Sequence, residues 1–333
     1  MPRFQIAILF TFAALFLFTQ CKQDGKSKNE EQIVEAKPIN VPKFNADSAY
    51  QYVKAQLDFG PRTPGTDEHA ACADWLVSKL KSYGAKVTVQ TFPATVYTGE
   101  KFTGKNIIAQ FNPTYAKRVI LAAHYDTRHI ADHDPDDKDN PILGADDGAS
   151  GVGVLLEIAR QIQEQPINMG IDIILFDLED YGNDGPGDNT LTWALGAQFW
   201  SANPHKRGYR ASYGILLDMV GAKDAKFPRE AISYTYAKDV QDKIWKLAAK
   251  MGRKDIFLNK RSKGVTDDHY FVNTVAGIPM VDIIGINEKT KTGFGAHWHT
   301  QGDNIDVISA ETLNHVGQVV LAAIYQESVG QLK

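Results

Sequence analysis

Carboxylate and imidazole side chains stand at the ends of several apolar, strand-like runs in this sequence. The residues concerned are His124, Asp126, Asp177, Glu179, Asp180, Asp218 and His299. Because ligands of open α/β sheets bind beyond the carboxyl ends of the strands, we expect these side chains at one edge of a sheet. Imidazole and carboxylate, without thiolate, are ligands that suit a catalytic zinc ion. The pattern therefore predicts a metal site at that edge.

Two of these acids, Glu179 and Asp180, are adjacent in the sequence. Neighbouring residues of a strand point in opposite directions, so one carboxylate could hold a ligand while the other does chemistry. Ordinary loop charges are the alternative. Asp146 and Asp147 pose a similar choice, because they lie in a glycine-rich turn where Asp is also favoured as a helix cap. Because other acids are expected at the same edge of the sheet, we favour a metal site over helix capping for this turn.

The elements that must position these residues alternate along the chain. Helical periodicity predicts helices over residues 45–59, 66–84, 149–165, 192–203, 238–252 and 308–330. Strand-like runs cover residues 86–92, 106–111, 118–124, 171–177, 213–221 and 280–286. The later runs are nearly continuous apolar stretches, which is typical of central strands covered on both faces. The order predicts a three-layer α/β/α sandwich around a mostly parallel sheet, in one domain over residues 41–333.

The N-terminal composition differs from that of the rest of the chain. Residues 1–21, MPRFQIAILFTFAALFLFTQC, predict a bacterial lipoprotein signal with Cys21 as the lipidated residue; a plain signal peptide or an anchor helix is the alternative. The polar residues 22–40 predict a linker. We therefore expect an exported, periplasmic protein that a lipid anchors to a membrane. The only other cysteine, Cys72, is predicted to be a small buried apolar residue.

Charge and composition narrow the range of partners. The chain has 333 residues, a hydrophobic fraction of 43% and a formal net charge of −4, with no basic stripe. A sizeable core is therefore possible, whereas a nucleic-acid partner is not expected. Nothing in the sequence suggests more than a monomer.

Several motifs resemble the zinc aminopeptidase superfamily. They are HYD (124–126), GADDGASG (144–151), FDLED (176–180), LLDMVGA (216–222) and the late His299. Three further motifs are similar to those of the glutaminyl cyclase branch, namely FGPRTPGT (59–66), TDDH (266–269) and WHTQGDNID (298–306), which Phe294 precedes. Together the motifs span most of residues 45–330.

The resemblance implies a zinc-dependent enzyme that acts on peptides or proteins with N-terminal glutamine. One zinc ion would be held by Asp147, Asp180 and His299. The α-amine of the substrate would attack the side-chain amide, so that ammonia leaves and a pyroglutamyl cap remains. Animal members commonly have Glu at position 180 and His at position 282, where this chain has Asp180 and Asp282.

The resemblance also implies roles for the other residues of the site. Glu179 would be the general acid/base, and Asp218 and Asp267 would share protons with it. Burial among other carboxylates should raise the pKa of Glu179 toward neutrality, as proton transfer requires. Apolar walls of the pocket would come from Trp298, Phe294 and Trp193.

A two-zinc aminopeptidase is the alternative function. Its second ion would be held by His124 and Asp218, with Asp147 bridging both ions. In a cyclase, His124 would instead be structural, with a hydrogen-bond partner such as Asp126. The TDDH motif, with its extra acid at Asp267, favours the cyclase.

Two loops near these motifs have compositions that could serve a function. The acidic segment DHDPDDKDNP (132–141) is dense in oxygen ligands, but its spacing does not match a known calcium loop, so a solvated rim is predicted. The turn-rich segment 182–190 is either an active-site loop or a plain connection.

Overall fold

The computed structural model describes residues 39–333, and the predicted signal segment and nearly all of the predicted linker lie outside these residues. The helices are α1 (Ala46–Leu57), α2 (Asp67–Ser82), α3 (Ala149–Glu164), α4 (Leu195–Ala202), α5 (Ala231–Tyr236), α6 (Lys238–Lys250), α7 (Asp268–Phe271) and α8 (Ala310–Ser328). The strands are β1 (Lys86–Thr95), β2 (Lys101–Phe111), β3 (Arg118–His124), β4 (Gly170–Phe176), β5 (Tyr213–Asp218), β6 (Phe227–Arg229), β7 (Phe257–Arg261) and β8 (Met280–Ile284). Short single turns connect several of them.

A six-stranded sheet in the order β1-β2-β4-β3-β5-β8 forms the centre of the fold. β3 pairs in parallel with β4 and β5, and β5 pairs in parallel with β8. Among these six strands only β2 runs in the opposite direction, since it pairs antiparallel with both β1 and β4. All residues of β3, β4, β5 and β8 are buried, as expected of central strands with continuous apolar sequences.

Helices cover both faces of the sheet. On β3, Val119, Leu121 and Ala123 belong to the core cluster that includes residues of α1, α2, α3, α6 and α8. Ile120 and Ala122 point the other way and pack with residues of α4 and the end of α7. The predicted three-layer α/β/α sandwich with a mostly parallel sheet is therefore confirmed.

Three predicted strands end earlier than their apolar sequences suggested. β4 ends at Phe176, β5 ends at Asp218 and β8 ends at Ile284. The backbone explains the first two, because Leu178 has φ 58° and Met219 has φ 47°, which extended strands do not adopt. The chain turns away from the sheet at these points, and the turns carry the polar residues of the site.

Several short elements were missed by the sequence analysis. The strands β6 and β7 form a separate two-stranded pair, and α5 and α7 have six and four residues. Segments this short show too little periodicity to be recognised. Cys72 is buried, as predicted. Within residues 39–333 no helix is both long enough and apolar enough to cross a bilayer.

Candidate active site

A cavity of about 450 Å³ opens at the edge of the sheet where β4 and β5 end. Loops that follow β3, β4, β5 and β8 contribute its walls. Every residue that the sequence analysis assigned to the cyclase site lines this cavity: Asp147, Glu179, Asp180, Trp193, Asp218, Asp267, Phe294, Trp298 and His299. Residues as far apart in the sequence as Asp147 and His299 thus meet in one pocket.

Asp147, Asp180 and His299 form a cluster with metal-binding geometry. His299 Nε2 lies 3.3 Å from Asp180 Oδ1 and 4.0 Å from Asp147 Oδ2. One ligand atom from each residue lies within 4.8 Å of the others, and all three side chains are buried. Asp180 Oδ2 and His299 Nε2 make no hydrogen bond, although they are inaccessible to solvent. Two carboxylates, one imidazole and buried unpaired ligand atoms fit a zinc ion with an open position.

A second cluster shares Asp147 with the first. His124 Nε2 lies 3.1 Å from Asp147 Oδ1 and 3.3 Å from Asp218 Oδ1. Burial lowers the pKa of His124, but its carboxylate neighbours outweigh burial and raise the pKa well above the usual value. His124 Nδ1 is 3.6 Å from Asp126, so the close partners of the ring are Asp147 and Asp218. As an N–H donor His124 bridges these two acids, and as a free base it could ligate a second ion.

Two buried carboxylates hold the turns that carry candidate metal ligands. Asp126 accepts hydrogen bonds from the backbone N–H groups of Glu179 and Asp180, both at 3.1 Å. Asp303 accepts hydrogen bonds from the backbone N–H of Asp147 and of the residue before it, at 3.1 and 2.8 Å. Both acids lie in the motifs HYD and WHTQGDNID, but their backbone partners could not be recognised from the sequence.

A turn, and not the pleat of a strand, sends the carboxylates of Glu179 and Asp180 in different directions. β4 has already ended, and the left-handed Leu178 redirects the backbone before the pair. The Asp180 carboxylate then faces His299, while Glu179 lies in the field of His124 and Asp267. The expected division between the two acids is present, but the predicted cause was wrong.

The glycine-rich turn does not use its aspartates as helix caps. The N-cap position of α3 is Gly148, with φ 97° and no side-chain cap. A Cβ on Gly148 would lie 3.0 Å from the ring of His124, so only glycine fits there. Asp146 accepts hydrogen bonds from the backbone after β5 and lies 3.0 Å from His297 Nε2. The capping interpretation is therefore excluded for Asp146 and Asp147.

The acids around the catalytic position are shielded from water. Burial raises the pKa of Glu179 well above its usual value; His124 opposes this shift and Asp267 adds to it. Burial also raises the pKa values of Asp218 and Asp267. A group of buried acids with raised pKa values can retain and exchange protons near neutral pH.

Asp267 lies close to two further buried residues, His269 and Asp282. Asp282 is fully buried, and burial raises its pKa well above the usual value. Its carboxylate lies 3.7 Å from His269 Nδ1, and His269 Nε2 lies 3.1 Å from Glu230 Oε2. Glu230 also accepts three backbone N–H groups, one of them from Val265. The sequence analysis missed Glu230, which has no motif around it.

Aromatic rings line the pocket beside the metal cluster. The ring of Trp298 lies 3.5 Å from that of His299, and Phe294 lies 4.8 Å from Trp298. The ring of Trp193 is 6.2 Å from His299, and the guanidinium of Arg128 lies 5.0 Å from Trp193. Arg128 Nη1 also donates a hydrogen bond to the Asp180 carbonyl. The pocket therefore combines a polar floor with apolar walls.

The fold and the site together define a metal-dependent α/β enzyme of the exopeptidase type. A family model described as peptidase family M28 matches residues 106–324. The glutaminyl-peptide cyclotransferase of Drosophila melanogaster is 26% identical over 285 residues, which cover 78% of this chain and 75% of the relative. The chain belongs to peptidase family M28, in its glutaminyl cyclase branch.

Two solved structures are similar over most of the described chain. A glutaminyl cyclase of Bacteroides thetaiotaomicron, bound to N-acetylhistamine, is 49% identical with a TM-score of 0.84. A Zn-dependent exopeptidase of Parabacteroides distasonis has the same identity and the same TM-score. Each alignment covers 86% of this chain and 99% of the other. Zinc is thus expected from the family as well as from the donor set, and the two names leave open how many ions are bound.

Proposed function

We propose that the protein is a zinc-dependent glutaminyl-peptide cyclotransferase that converts N-terminal glutamine of peptides or proteins to pyroglutamate and releases ammonia. One observation carries this proposal. Glu179, a buried acid with a raised pKa, lies beside Asp267 in the same pocket as the cluster of Asp147, Asp180 and His299. The names of the similar cyclotransferases support the same reaction.

The site supplies the two things that this cyclisation needs. Asp147, Asp180 and His299 would hold the zinc ion, which when bound polarises the side-chain amide carbonyl of the substrate. The aromatic walls, chiefly Trp298, confine the glutamine side chain in the folded-back conformation that brings its amide near its own α-amine. Because the bound peptide is already held in this geometry, the cyclisation step loses less conformational entropy than it does in the free peptide, and its barrier is lower.

Glu179 would carry the proton that moves during the reaction. The α-amine nitrogen forms a bond to the amide carbon, and Glu179 removes a proton from that nitrogen. The bond from carbon to the amide nitrogen then breaks, and Glu179 returns the proton so that ammonia leaves. Asp267 would accept a hydrogen bond from the departing nitrogen, and Asp218 would share the proton load. No water is consumed, so a pocket shielded from solvent suits the reaction.

The two-zinc aminopeptidase remains a distinct second candidate because His124, Asp147 and Asp218 also lie within metal-binding reach of one another. We favour one zinc ion, with His124 as the hydrogen-bonded bridge between the two acids. In that arrangement His124 Nε2 carries a proton and cannot act as a ligand.

Mass spectrometry of two peptides separates these functions. The purified protein should remove ammonia from a peptide that begins with glutamine and should leave a matched leucine-started peptide unchanged. Release of the first residue from either peptide would contradict the proposal and support the aminopeptidase. Elemental analysis of the same sample should give one zinc per chain, whereas two would assign His124 and Asp218 as ligands.

We also propose that the protein is exported and anchored by a lipid on Cys21, so that the enzyme acts in the periplasm. The apolar run that ends at Cys21 and the polar residues after it support this localisation. Radiolabelled palmitate should enter the expressed chain, and Cys21→Ser should abolish the label. Labelling that survives the substitution would contradict the proposal.

A further inference from the structure

The acidic loop, residues 132–141, contacts the chain around His299 and does not merely form a solvated rim. His133 N donates a hydrogen bond to His299 O at 3.1 Å. Asp134 Oδ2 accepts a hydrogen bond from Gln301 N at 2.9 Å, and Gln301 Nε2 reaches the Asn140 carbonyl at 3.3 Å. The loop is therefore joined to the chain at the metal-ligand candidate itself and two residues after it.

His299 needs such support because its backbone is strained. Its φ of 55° lies in the left-handed region, which a bulky side chain rarely adopts. A non-glycine residue in this conformation is strained and persists only where the surroundings hold it. The hydrogen bonds of the acidic loop provide that restraint, and the conformation directs the imidazole into the cluster with Asp147 and Asp180.

Asp132 contacts the ring nitrogen that faces away from this cluster. Asp132 Oδ1 lies 3.0 Å from His299 Nδ1, which is within ion-pair distance, although Nδ1 makes no aligned hydrogen bond in this structure. The same carboxylate accepts hydrogen bonds from Arg128, at 2.8 Å from Nε and 2.5 Å from Nη2. Arg128 is itself buried and holds Asp132 in a fixed orientation.

A second cation site in the loop is the competing interpretation. Ligand atoms of Asp132, His133, Asp184 and His299 lie within 4.8 Å of one another. However, His133 Nε2 already pairs with Asp184 Oδ2 at 2.8 Å, and Arg128 already occupies the Asp132 carboxylate. Because these side chains already have partners within the protein, we assign Asp132 an orienting function and not a second cation site.

We propose that Asp132, fixed by Arg128, is a positioning residue that keeps the proton on His299 Nδ1 and so presents Nε2 to zinc. The inference rests on the zinc site of the proposed function. A carboxylate that receives the far N–H of a ligating histidine fixes its tautomer and ring orientation, and its loss typically costs about 10–100-fold in metal affinity. The acidic loop is thereby part of the metal centre.

Zinc affinity, measured by competition with a chelator of known affinity, tests this assignment directly. Asp132→Ala should weaken zinc binding by about 10–100-fold. Asp132→Asn keeps Oδ1 as an acceptor for the Nδ1 proton but places its amide N–H₂ against Arg128 Nη2, so it should recover only part of the affinity. The matched control is Asp139→Ala, because Asp139 is an exposed acid of the same loop. Its substitution should leave zinc affinity unchanged.

Spectroscopy of the cobalt-substituted protein gives a readout that a general loss of stability would not mimic. The visible absorption of bound Co²⁺ should shift in Asp132→Ala and shift by less in Asp132→Asn. Wild-type zinc affinity in folded Asp132→Ala would overturn the inference, and if that variant does not fold, an unchanged affinity in Asp132→Leu would do so. A wild-type protein that binds no zinc would overturn it as well. A protein that binds zinc with the predicted variant pattern but does not cyclise glutamine would refute the proposed function alone.

Discussion

The floor of the pocket and its mouth are built in different ways. At the floor, the side chains of Glu179, Asp180 and His299 are buried, and the Asp126 carboxylate holds the backbone of Glu179 and Asp180. At the mouth, Lys263 and Lys291 line the cavity on two separate loops, and both are exposed. Neither lysine has an ion-pair partner among the described residues.

This difference separates the chemistry from the recognition of the substrate. Buried, hydrogen-bonded acids have fixed positions and shifted pKa values, which proton transfer requires. Exposed lysines are mobile and screened by water and salt, so they can bias the choice of peptide without altering the reaction. The other acids at the mouth are already paired, Glu288 with Lys260 and Asp184 with His133. The mouth therefore carries two positive charges without an ion-pair partner among the described residues, and we expect the part of the peptide that follows the glutamine to meet them.

The largest effect is expected at the floor, from Glu179→Gln. A positioned general acid/base contributes about 10²–10⁴-fold to a rate, so kcat for ammonia release should fall by that factor. Zinc content should be retained, because the turn of Asp180 is held through its backbone N–H by Asp126. Asp184→Asn at the mouth is the control and should keep most of the activity. Near-normal kcat in Glu179→Gln would show that another group moves the proton.

A smaller effect, on stability, is expected from Glu230→Gln beneath the floor. Burial raises the pKa of Glu230, but His269 and the backbone N–H groups outweigh it and lower the pKa to about 2. Because the folded-state pKa is depressed, the carboxylate stabilises the fold above pH ~4.5, and this stabilisation is lost as the pH falls toward 2. The shift corresponds to about 3 kcal/mol.

Urea unfolding at several pH values tests this prediction. At pH 7 the Glu230→Gln variant should be less stable than wild type by about 3 kcal/mol, and the difference should shrink as the pH falls below about 4.5. A difference that stays constant down to pH 3 would mean that the charge of Glu230 contributes nothing. Glu288→Gln, an exposed acid at the mouth, is the matched control and should show little change.

The smallest effect is expected at the mouth, from Lys263→Met combined with Lys291→Met. Wild type should favour peptides with an acidic residue soon after the glutamine over matched lysine peptides by about two- to fivefold in kcat/KM, the range of exposed ion pairs. The double variant should lose this preference, and added salt should weaken it in wild type. Lys289→Met is the control, since Lys289 is exposed in the same loop but does not line the cavity. An unchanged preference in the double variant would show that these two lysines do not select peptides by their charge.

The same contrast between local and distant interactions explains what the sequence could predict. β3 is observed over residues 118–124, as predicted, because its continuous apolar run is a local signal. Most residues of the pocket were found because they lie in short motifs that resemble those of a known family, several of them at strand ends. Strand boundaries after Phe176 and Asp218 were missed because left-handed residues, which no apolar pattern reveals, end those strands.

The supporting residues could not be predicted for a different reason. Asp132 and Glu230 act through partners that are distant in the sequence, His299 and His269. Acidic composition alone makes Asp132 look like any residue of a solvated loop. Asp126 and Asp303 were inside recognised motifs, yet their partners are backbone N–H groups, which every non-proline residue has.

The hydrogen bonds that Asp126 accepts from the backbone of Glu179 and Asp180 have an evolutionary consequence. The turn is defined by peptide N–H groups, so it does not depend on which side chain position 180 carries. A ligand of one length can then be exchanged for another without dismantling the turn, and only the ion needs to adjust its place. Lineages of this fold can therefore drift between aspartate and glutamate at this position while the reaction is preserved.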